Sequence, residues 1–255
     1  MTMLAAVQKG DVKKLAELMR QDPGFNANQQ DEDGWSLLHE ACNGGSRSAV
    51  IPLLLAHPDI DVNRKNKYGW TPFLSTCYYG SASCAREMLK DSRVKVNEPN
   101  NYGYTPLWAA IYQGYLGVIK LWIASGREMN LAELGDIDKS NVIKVAEREG
   151  YAGLAALLEK FKKNPNETRH AVRVDLGFID ELAAEVFALV VFVSDGLLQI
   201  NNTTPPSSAD RFFKIATQLP LELQMVLCFH VIGSAKEIVP GKEREMAFKE
   251  LAKRM

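Results

Sequence analysis

The sequence predicts an all-α protein of about five stacked repeats with short β-hairpin turns, followed by a small helical C-terminal region. Three series of residues recur with one period of 34 to 36 positions, the length of a small supersecondary unit. They are the glycines Gly10, Gly45, Gly80, Gly114 and Gly150, the glycines Gly34, Gly69 and Gly103, and the asparagines Asn28, Asn63 and Asn97. Each glycine of the first series lies between two short apolar stretches, so each unit is predicted to contain two helices.

Composition excludes several functional classes. The chain has 255 residues, of which 46% are hydrophobic, and 30 basic residues against 31 acidic ones. A net charge of −1 offers no positive surface to DNA or RNA, so no nucleic-acid partner is expected. The most apolar run, residues 186–193, is shorter than the ~20 residues that cross a bilayer, and the first residues lack a signal-peptide pattern. We therefore expect a cytoplasmic protein without membrane association. A fraction of the protein in the nucleus stays an open alternative.

The cysteines and histidines predict no metal or disulfide chemistry. The four cysteines form no Cys-x-x-Cys pair, and the four histidines are scattered along the chain. We expect reduced structural thiols, no metal and no cofactor. Cys42 and Cys77 fall at positions where small residues let two helices approach, which favours a packing role.

The start of each full repeat follows from a few residues. Thr71 and Thr105 stand where a hydroxyl can cap a helix, and Pro72 and Pro106 fall at the first helical position, where a missing N–H costs nothing. The turn glycines Gly34, Gly69 and Gly103 are expected to supply a positive φ between units.

Three units begin DGWSLLHEACNGG, YGWTPFLSTCYYG and YGYTPLWAAIYQG, from Asp33, Tyr68 and Tyr102. They resemble the ankyrin repeat, with its Gly-x-Thr-Pro-Leu opening, Ala-Ala-x-x-Gly middle and x-Val-Asn close. The resemblance covers residues 1–163, with full repeats at 31–64, 65–98 and 99–133 between degenerate capping units. It implies that His39 forms a hydrogen bond between units, whereas Leu74 and Trp108 replace this histidine in the next two repeats.

The resemblance also implies where a partner binds. In the ankyrin family, partners contact the hairpin tips and the exposed side of the first helices, which together form a concave surface. Eight of the twelve corresponding positions are Trp or Tyr, and two more are uncharged amides. The predicted partner-binding residues are Trp35, Tyr68, Trp70, Tyr78, Tyr79, Tyr102, Tyr104 and Tyr112, with Asn43 and Gln113.

Exposed Trp and Tyr dominate many interfaces because they bury a large area with few rotatable bonds. We therefore predict that a protein or peptide binds these rings, and the low charge favours an apolar or proline-containing segment. Two alternatives stay open. In the first, the rings only stiffen the tips by packing on one another. In the second, the C-terminal segment of the chain covers them.

Residues 164–255 lose the period and are predicted to form a helical C-terminal domain. Residues 164–173 read as a linker, and residues 199–208, with two prolines, read as a loop. Residues 175–193 have helical spacing, although a strand at 186–193 is an alternative. Further helices are predicted after the loop, after Pro220 and at 244–255. Their apolar content suggests that this domain docks on the repeats.

One segment of this domain has a second resemblance. Leu219, Pro220, Glu222 and Leu223 resemble the opening of the F-box, the helical motif that binds the adaptor subunit of cullin ubiquitin ligases. This implies adaptor binding at these four residues and a substrate-receptor function.

No Gly-rich phosphate loop, Gly-x-Ser-x-Gly elbow or His/Glu metal spacing occurs, so we predict that the protein is not an enzyme. The predicted function is a monomeric protein–protein interaction module. The alternatives are a ubiquitin-ligase substrate receptor and a scaffold that is inhibited by its own tail.

Overall fold

The structure is a computed structural model that describes residues 2–131, 141–195, 208–219, 221–231 and 247. Within these ranges the chain is helical apart from turns and one isolated β-bridge between Gln30 and Ser36, which confirms the all-α class. A 3-10 helix spans Gly45–Val50. The α-helices are α1 (Met3–Lys9), α2 (Val12–Gln21), α3 (Leu37–Cys42), α4 (Ile51–Leu55), α5 (Pro72–Tyr79), α6 (Ala82–Lys90), α7 (Pro106–Tyr112), α8 (Leu116–Ser125), α9 (Val142–Arg148), α10 (Ala152–Lys163), α11 (Pro165–Asp175), α12 (Phe178–Ser194), α13 (Ser208–Ala216) and α14 (Leu221–Val231).

In two full repeats the first helix begins at the predicted cap, Thr71 or Thr105, and in the repeat at 31–64 it begins at Ser36, a cap that was not predicted. The hydroxyls of Ser36, Thr71 and Thr105 accept hydrogen bonds from the backbone N–H groups three residues later, at 3.5, 3.1 and 3.2 Å. Pro72 and Pro106 occupy the first helical position of α5 and α7. Each cap satisfies an N–H that has no partner inside its helix and contributes about 1 kcal/mol to stability.

The repeats stack in register. The first helices α1, α3, α5, α7 and α9 pack each against the next, and so do the second helices α6 and α8. Leu38, Leu74 and Leu107 are fully buried between layers, each with about 1.5–3 kcal/mol of apolar burial. Phe73 of α5 meets Trp122 of α8 edge to face, with ring centroids 5.1 Å apart.

Four of the five mid-repeat glycines, all except Gly150, are covered by the following repeat. Gly80 ends α5 in the left-handed conformation, at φ 70°. A Cβ added there would lie 2.5 Å from the ring of Tyr115, so the ring rests directly on the glycine. This position therefore requires glycine for its backbone angle and for the close approach of the ring.

The asparagine series bonds each repeat to its successor. Asn63 Nδ2 donates to the carbonyl of Arg93 at 2.9 Å, and Asn63 Oδ1 accepts from the N–H of Lys95 at 2.7 Å. In the same way, Asn28 Nδ2 donates to the backbone carbonyl of Asp59 at 2.6 Å, and Asn28 Oδ1 accepts from the backbone N–H of Asp61 at 2.7 Å. The amide groups thus satisfy backbone polar groups of the next loop, which explains why asparagine recurs with the repeat period.

The repeat at 31–64 differs from its successors in its second half. Its α3 ends at Cys42, Asn43 is in the right-handed conformation, and Gly45 begins the 3-10 helix. Pro52 lies in the first turn of α4, where its missing N–H costs no helical hydrogen bond. A two-part segment therefore replaces the single second helix of the other full repeats.

The predicted linker at 164–173 is wrong, because α11 occupies this segment. Pro165 opens the helix, and Thr168 and Val172, one turn apart, are buried. Arg169 Nε donates to the carbonyl of Ile123 at 3.3 Å and ties α11 to α8. Burial of one narrow face outweighs the polar composition on which the prediction rested.

Chain contacts divide the protein into two compact units, Met1–Val172 and Arg173–Met255. The boundary lies nine residues after the predicted one at residue 163, since the first unit includes residues 165–172 of α11. The degenerate turn at Asp136, Ile137 and Asp138 lies outside the described residues.

In the second unit, α12 is a single helix, so the alternative of a strand at 186–193 is wrong. Its buried face contains Ala183, Phe187 and Val190 and packs against α13 and α14, where Ala216 and Cys228 are buried. Most of the predicted loop at 199–208 and of the predicted helix at 244–255 lies outside the described residues. Among the described helices, none is long and apolar enough to cross a membrane.

Candidate functional site

Three hairpin tips, residues 31–35, 66–70 and 100–104, share one hydrogen-bonding pattern. In each, the first residue uses Oδ1 to accept the N–H groups two and four residues later. Asn66 accepts from Tyr68 and Trp70, both at 2.9 Å, and Asn100 accepts from Tyr102 and Tyr104, both at 3.0 Å. Asp31 does the same for Asp33 and Trp35, at 3.0 and 2.8 Å.

The tips are also bonded to one another. The N–H of Lys67 donates to the carbonyl of Asp33 at 3.0 Å, and the N–H of Asn101 donates to the carbonyl of Tyr68 at 3.1 Å. His39 adds a third link, because its Nε2 lies 2.9 Å from the carbonyl of Trp70. The side chains at the tips are therefore held on a continuous backbone frame.

Four predicted aromatic residues form one cluster across two repeats. Trp35 and Trp70 have ring centroids 6.4 Å apart, Trp70 meets Tyr78 edge to face at 4.9 Å, and Tyr78 meets Tyr79 at 5.3 Å. Each such aromatic pair contributes about 0.5–1.5 kcal/mol to stability, in addition to the free energy gained from the area that it buries.

A second cluster lies in the repeat at 99–133 and includes a ring that the sequence prediction missed. Trp108 is stacked between Tyr104 and Tyr112, at centroid distances of 4.1 and 4.8 Å, and Tyr102 lies 6.4 Å from Tyr104. Trp108 replaces the family's histidine, and the repeat pattern predicts no binding role for it. Trp108 and Tyr112, four residues apart, lie on one face of α7, and this spacing would have identified Trp108.

We call these two clusters the aromatic row, which consists of Trp35, Trp70, Tyr78, Tyr79, Tyr102, Tyr104, Trp108 and Tyr112. Tyr79, Tyr102 and Tyr112 expose 46%, 54% and 41% of their surface. The other five rings are half-buried. Burial, followed by the nearby Tyr78 and Glu40, raises the pKa of Tyr79, so its hydroxyl remains a hydrogen-bond donor at neutral pH.

The other predicted binding residues lie beside the row. Tyr68 exposes 44% of its surface and makes no ring contact with another described aromatic residue. Asn43 and Gln113 are half-buried at the ends of α3 and α7. The structure thus shows both packing among the rings and exposed tyrosines at their edges.

The prediction that His39 links repeats is confirmed. It is fully buried, its Nδ1 accepts from the hydroxyl and N–H of Ser36 at 2.8 and 3.2 Å, and its Nε2–H donates to Trp70. Burial lowers the pKa of His39 from 6.5 to about 4, although the Trp70 carbonyl and Asp31 oppose the shift. The imidazole is therefore neutral at physiological pH.

The cysteines are free and buried, as predicted. Burial raises the pKa of the Cys42, Cys77 and Cys84 thiols and raises that of Cys228 to about 11. Thiols of this kind are poor nucleophiles. No three His, Cys, Asp or Glu side chains of the described residues are grouped to hold a metal ion.

The segment that resembles an F-box is only partly described. Leu223 on α14 is exposed, Leu219 is half-buried, and Gln224 Nε2 donates to the carbonyl of Leu219 at 2.9 Å. Pro220 lies outside the described residues, and the side chain of Glu222 is not described.

A groove of about 640 Å³ lies beside the first tip. Its apolar lining includes Leu4 and Phe25 together with the Trp35 end of the aromatic row, and its carboxylates are Asp22, Asp31 and Glu40. This volume is in the range of ligand-binding pockets. No sequence pattern indicates the groove, because its walls come from α1, from the loop after α2, from the first tip and from α3.

Comparison with known proteins agrees with the repeat architecture. A family model described as ankyrin repeats in three copies matches residues 2–97 and again residues 47–133, which together exceed half of the chain. No curated protein matches the sequence. The chain therefore belongs to the ankyrin repeat family, whose repeats serve as protein–protein interaction modules.

Proposed function

We propose that the protein binds a protein or peptide partner through the aromatic row, without catalysing a reaction. The observation that carries this proposal is the exposure of Tyr79, Tyr102 and Tyr112 at the edges of rings that are already packed. Packing among the rings fixes their orientation before a partner arrives. Binding then orders few side chains, which lowers its entropic cost.

The chemistry of the row favours a partner with apolar surface and some hydrogen-bond acceptors. Trp and Tyr rings bury much apolar area, and the phenol hydroxyls are donors at neutral pH. The tips carry the rings on a backbone frame that is bonded from repeat to repeat. Such a frame suits an extended segment or a loop that crosses several repeats.

The two alternatives that involve the second unit stay predictions. The ligase-receptor function depends on the resemblance of Leu219, Pro220, Glu222 and Leu223 to the F-box. Self-inhibition depends on the apolar content of residues 164–255. Neither is favoured by a specific contact among the described residues.

The proposal is tested by affinity capture from lysate with quantitative mass spectrometry. The variant replaces Tyr79, Tyr102 and Tyr112 by Ala, and the control replaces Val12 and Leu116, which are exposed and outside the row, by Ala. We expect the wild type and the control to retain the same partners and the variant to lose them about tenfold or more. Thermal unfolding should show that all three proteins are folded.

Capture of the same partners by the tyrosine variant would contradict the proposal. Loss of capture by both variants would do so as well, because the effect would not be specific to the row.

A further inference from the structure

The first tip has an open edge. Lys67 and Asn101 stand two residues before their turn glycines, and the N–H of each donates to the carbonyl of the preceding tip, on Asp33 and Tyr68. Glu32 is the equivalent residue of the first tip. Its N–H has no acceptor among the described residues, since no tip precedes it in residues 2–30. A donor that the other tips use for stacking therefore stays available next to Asp31, which lines the groove.

The first tip also differs in its leading residue. Asn66 and Asn100 are uncharged and buried, whereas Asp31 is exposed and carries a negative charge. Its Oδ1 accepts the two backbone N–H groups of the tip, so the carboxylate is held in place beside Trp35. The folding role of this position needs only the one oxygen, which asparagine supplies in the next two repeats.

The charges around the groove are unbalanced. Asp22 and Asp31 are exposed and have no described cationic partner. Glu40 forms an ion pair with Arg47 and accepts from Gln8 Nε2 at 3.3 Å. Among the described residues that line the groove, none is a lysine or an arginine. The occupant that complements these carboxylates carries a positive charge.

Apolar side chains complete the lining. Leu4 exposes 46% of its surface, and Phe25 and Trp35 are half-buried, so the groove also takes apolar groups. Trp35 and Asp31 both line the groove, and the Asp31 Oδ1 accepts the backbone N–H of Trp35 at 2.8 Å. A planar cation can stack on an indole while it donates to a neighbouring carboxylate, and arginine does both better than lysine.

We infer that this groove binds an extended segment of a partner protein through an arginine side chain. The guanidinium lies over Trp35 and donates to Asp31, the aliphatic part of the side chain contacts Leu4 and Phe25, and a backbone carbonyl of the segment accepts from the N–H of Glu32. This assignment rests on the proposed function, because Trp35 belongs to both surfaces and the segment continues onto the aromatic row.

The test is a selection of displayed random short peptides on the immobilised full-length protein, followed by affinity measurement with fluorescence anisotropy. We expect the selected peptides to share an arginine. The variant Asp31→Asn installs the residue of the next two tips, so it should fold normally and weaken these peptides about tenfold. The control Asp59→Asn removes an exposed carboxylate outside the groove and should leave their affinity unchanged.

Failure to select arginine-containing peptides would overturn the inference. Selection of uncharged peptides, or of lysine peptides that bind as well as arginine ones, would overturn it too. Equal affinity for the wild type and Asp31→Asn would have the same consequence. If these peptides fail while partner capture still depends on Tyr79, Tyr102 and Tyr112, the arginine assignment is wrong and the proposed function stands.

Discussion

At the scale of single residues, the repeats are joined by polar side chains that each occupy a defined position. His39 and the asparagine series are examples, since each satisfies backbone groups of the following repeat. The role of His39 could be predicted because its position in the repeat pattern is distinctive. The role of Trp108 could not be inferred from that pattern, since the same position holds a buried leucine, Leu74, in the preceding repeat.

The neutral state of His39 makes stability depend on pH. The unfolded chain binds a proton near pH 6.5, whereas burial keeps the folded imidazole neutral down to about pH 4. The stabilisation is therefore complete above pH 6.5 and is lost as the pH falls to about 4, by about 3 kcal/mol for this difference in pKa. Urea titrations across this range should show the decline in the free energy of unfolding.

The variant His39→Gln isolates this contribution. It should be less stable than the wild type at neutral pH, and its stability should decline less steeply between pH 6.5 and 4. Parallel pH profiles for the two proteins would show that another group causes the decline.

At the scale of the elements, the period predicted which segments are helices, and threonine and proline predicted where α5 and α7 begin. Two elements could not be predicted in this way. The 3-10 helix at Gly45–Val50 replaces an expected helix start, and α11 replaces an expected linker. In α11, only Thr168 and Val172 are buried, and two residues are too few to produce a recognisable helical pattern in sequence.

Gly80 and Gly153 provide a matched comparison of glycine in two elements. Gly80→Ala places a Cβ 2.5 Å from the Tyr115 ring at a positive φ, so we expect a loss of about 1–3 kcal/mol. Gly153 lies exposed in α10 with no atom near its added Cβ, so Gly153→Ala should gain up to about 1 kcal/mol. Thermal and urea unfolding measure both. Equal effects would mean that the Tyr115 contact does not constrain Gly80.

At the scale of the whole molecule, the chain consists of two units, of which the first has a repeating sequence pattern and the second has none. The repeats bury their faces against neighbours at fixed intervals, so their stacking order was predictable from the period. The second unit has no period, and the described buried residues on α12, α13 and α14 include four alanines that no motif identifies. The boundary between the units depended on how α11 packs, and composition alone did not predict it.

We expect residues 1–172 to fold without the second unit, because the buried residues of the repeats lie within this range. Expressed alone, this fragment should unfold cooperatively and capture the same partners as the full chain. Circular dichroism and quantitative capture measure the two properties. A fragment that does not fold would contradict the division into units, and stronger capture by the fragment would favour self-inhibition by the tail.

The distribution of the indoles has a consequence for spectroscopy. The protein has four tryptophans, of which Trp35, Trp70 and Trp108 belong to the aromatic row, whereas Trp122 is fully buried and donates from Nε1 to the carbonyl of Glu128 at 3.2 Å. Intrinsic fluorescence therefore contains a surface signal and an interior signal. We expect a small aqueous quencher to reach the first three indoles but not the fourth. Quenching of tryptophan fluorescence therefore distinguishes binding of a partner to the aromatic row from opening of the core.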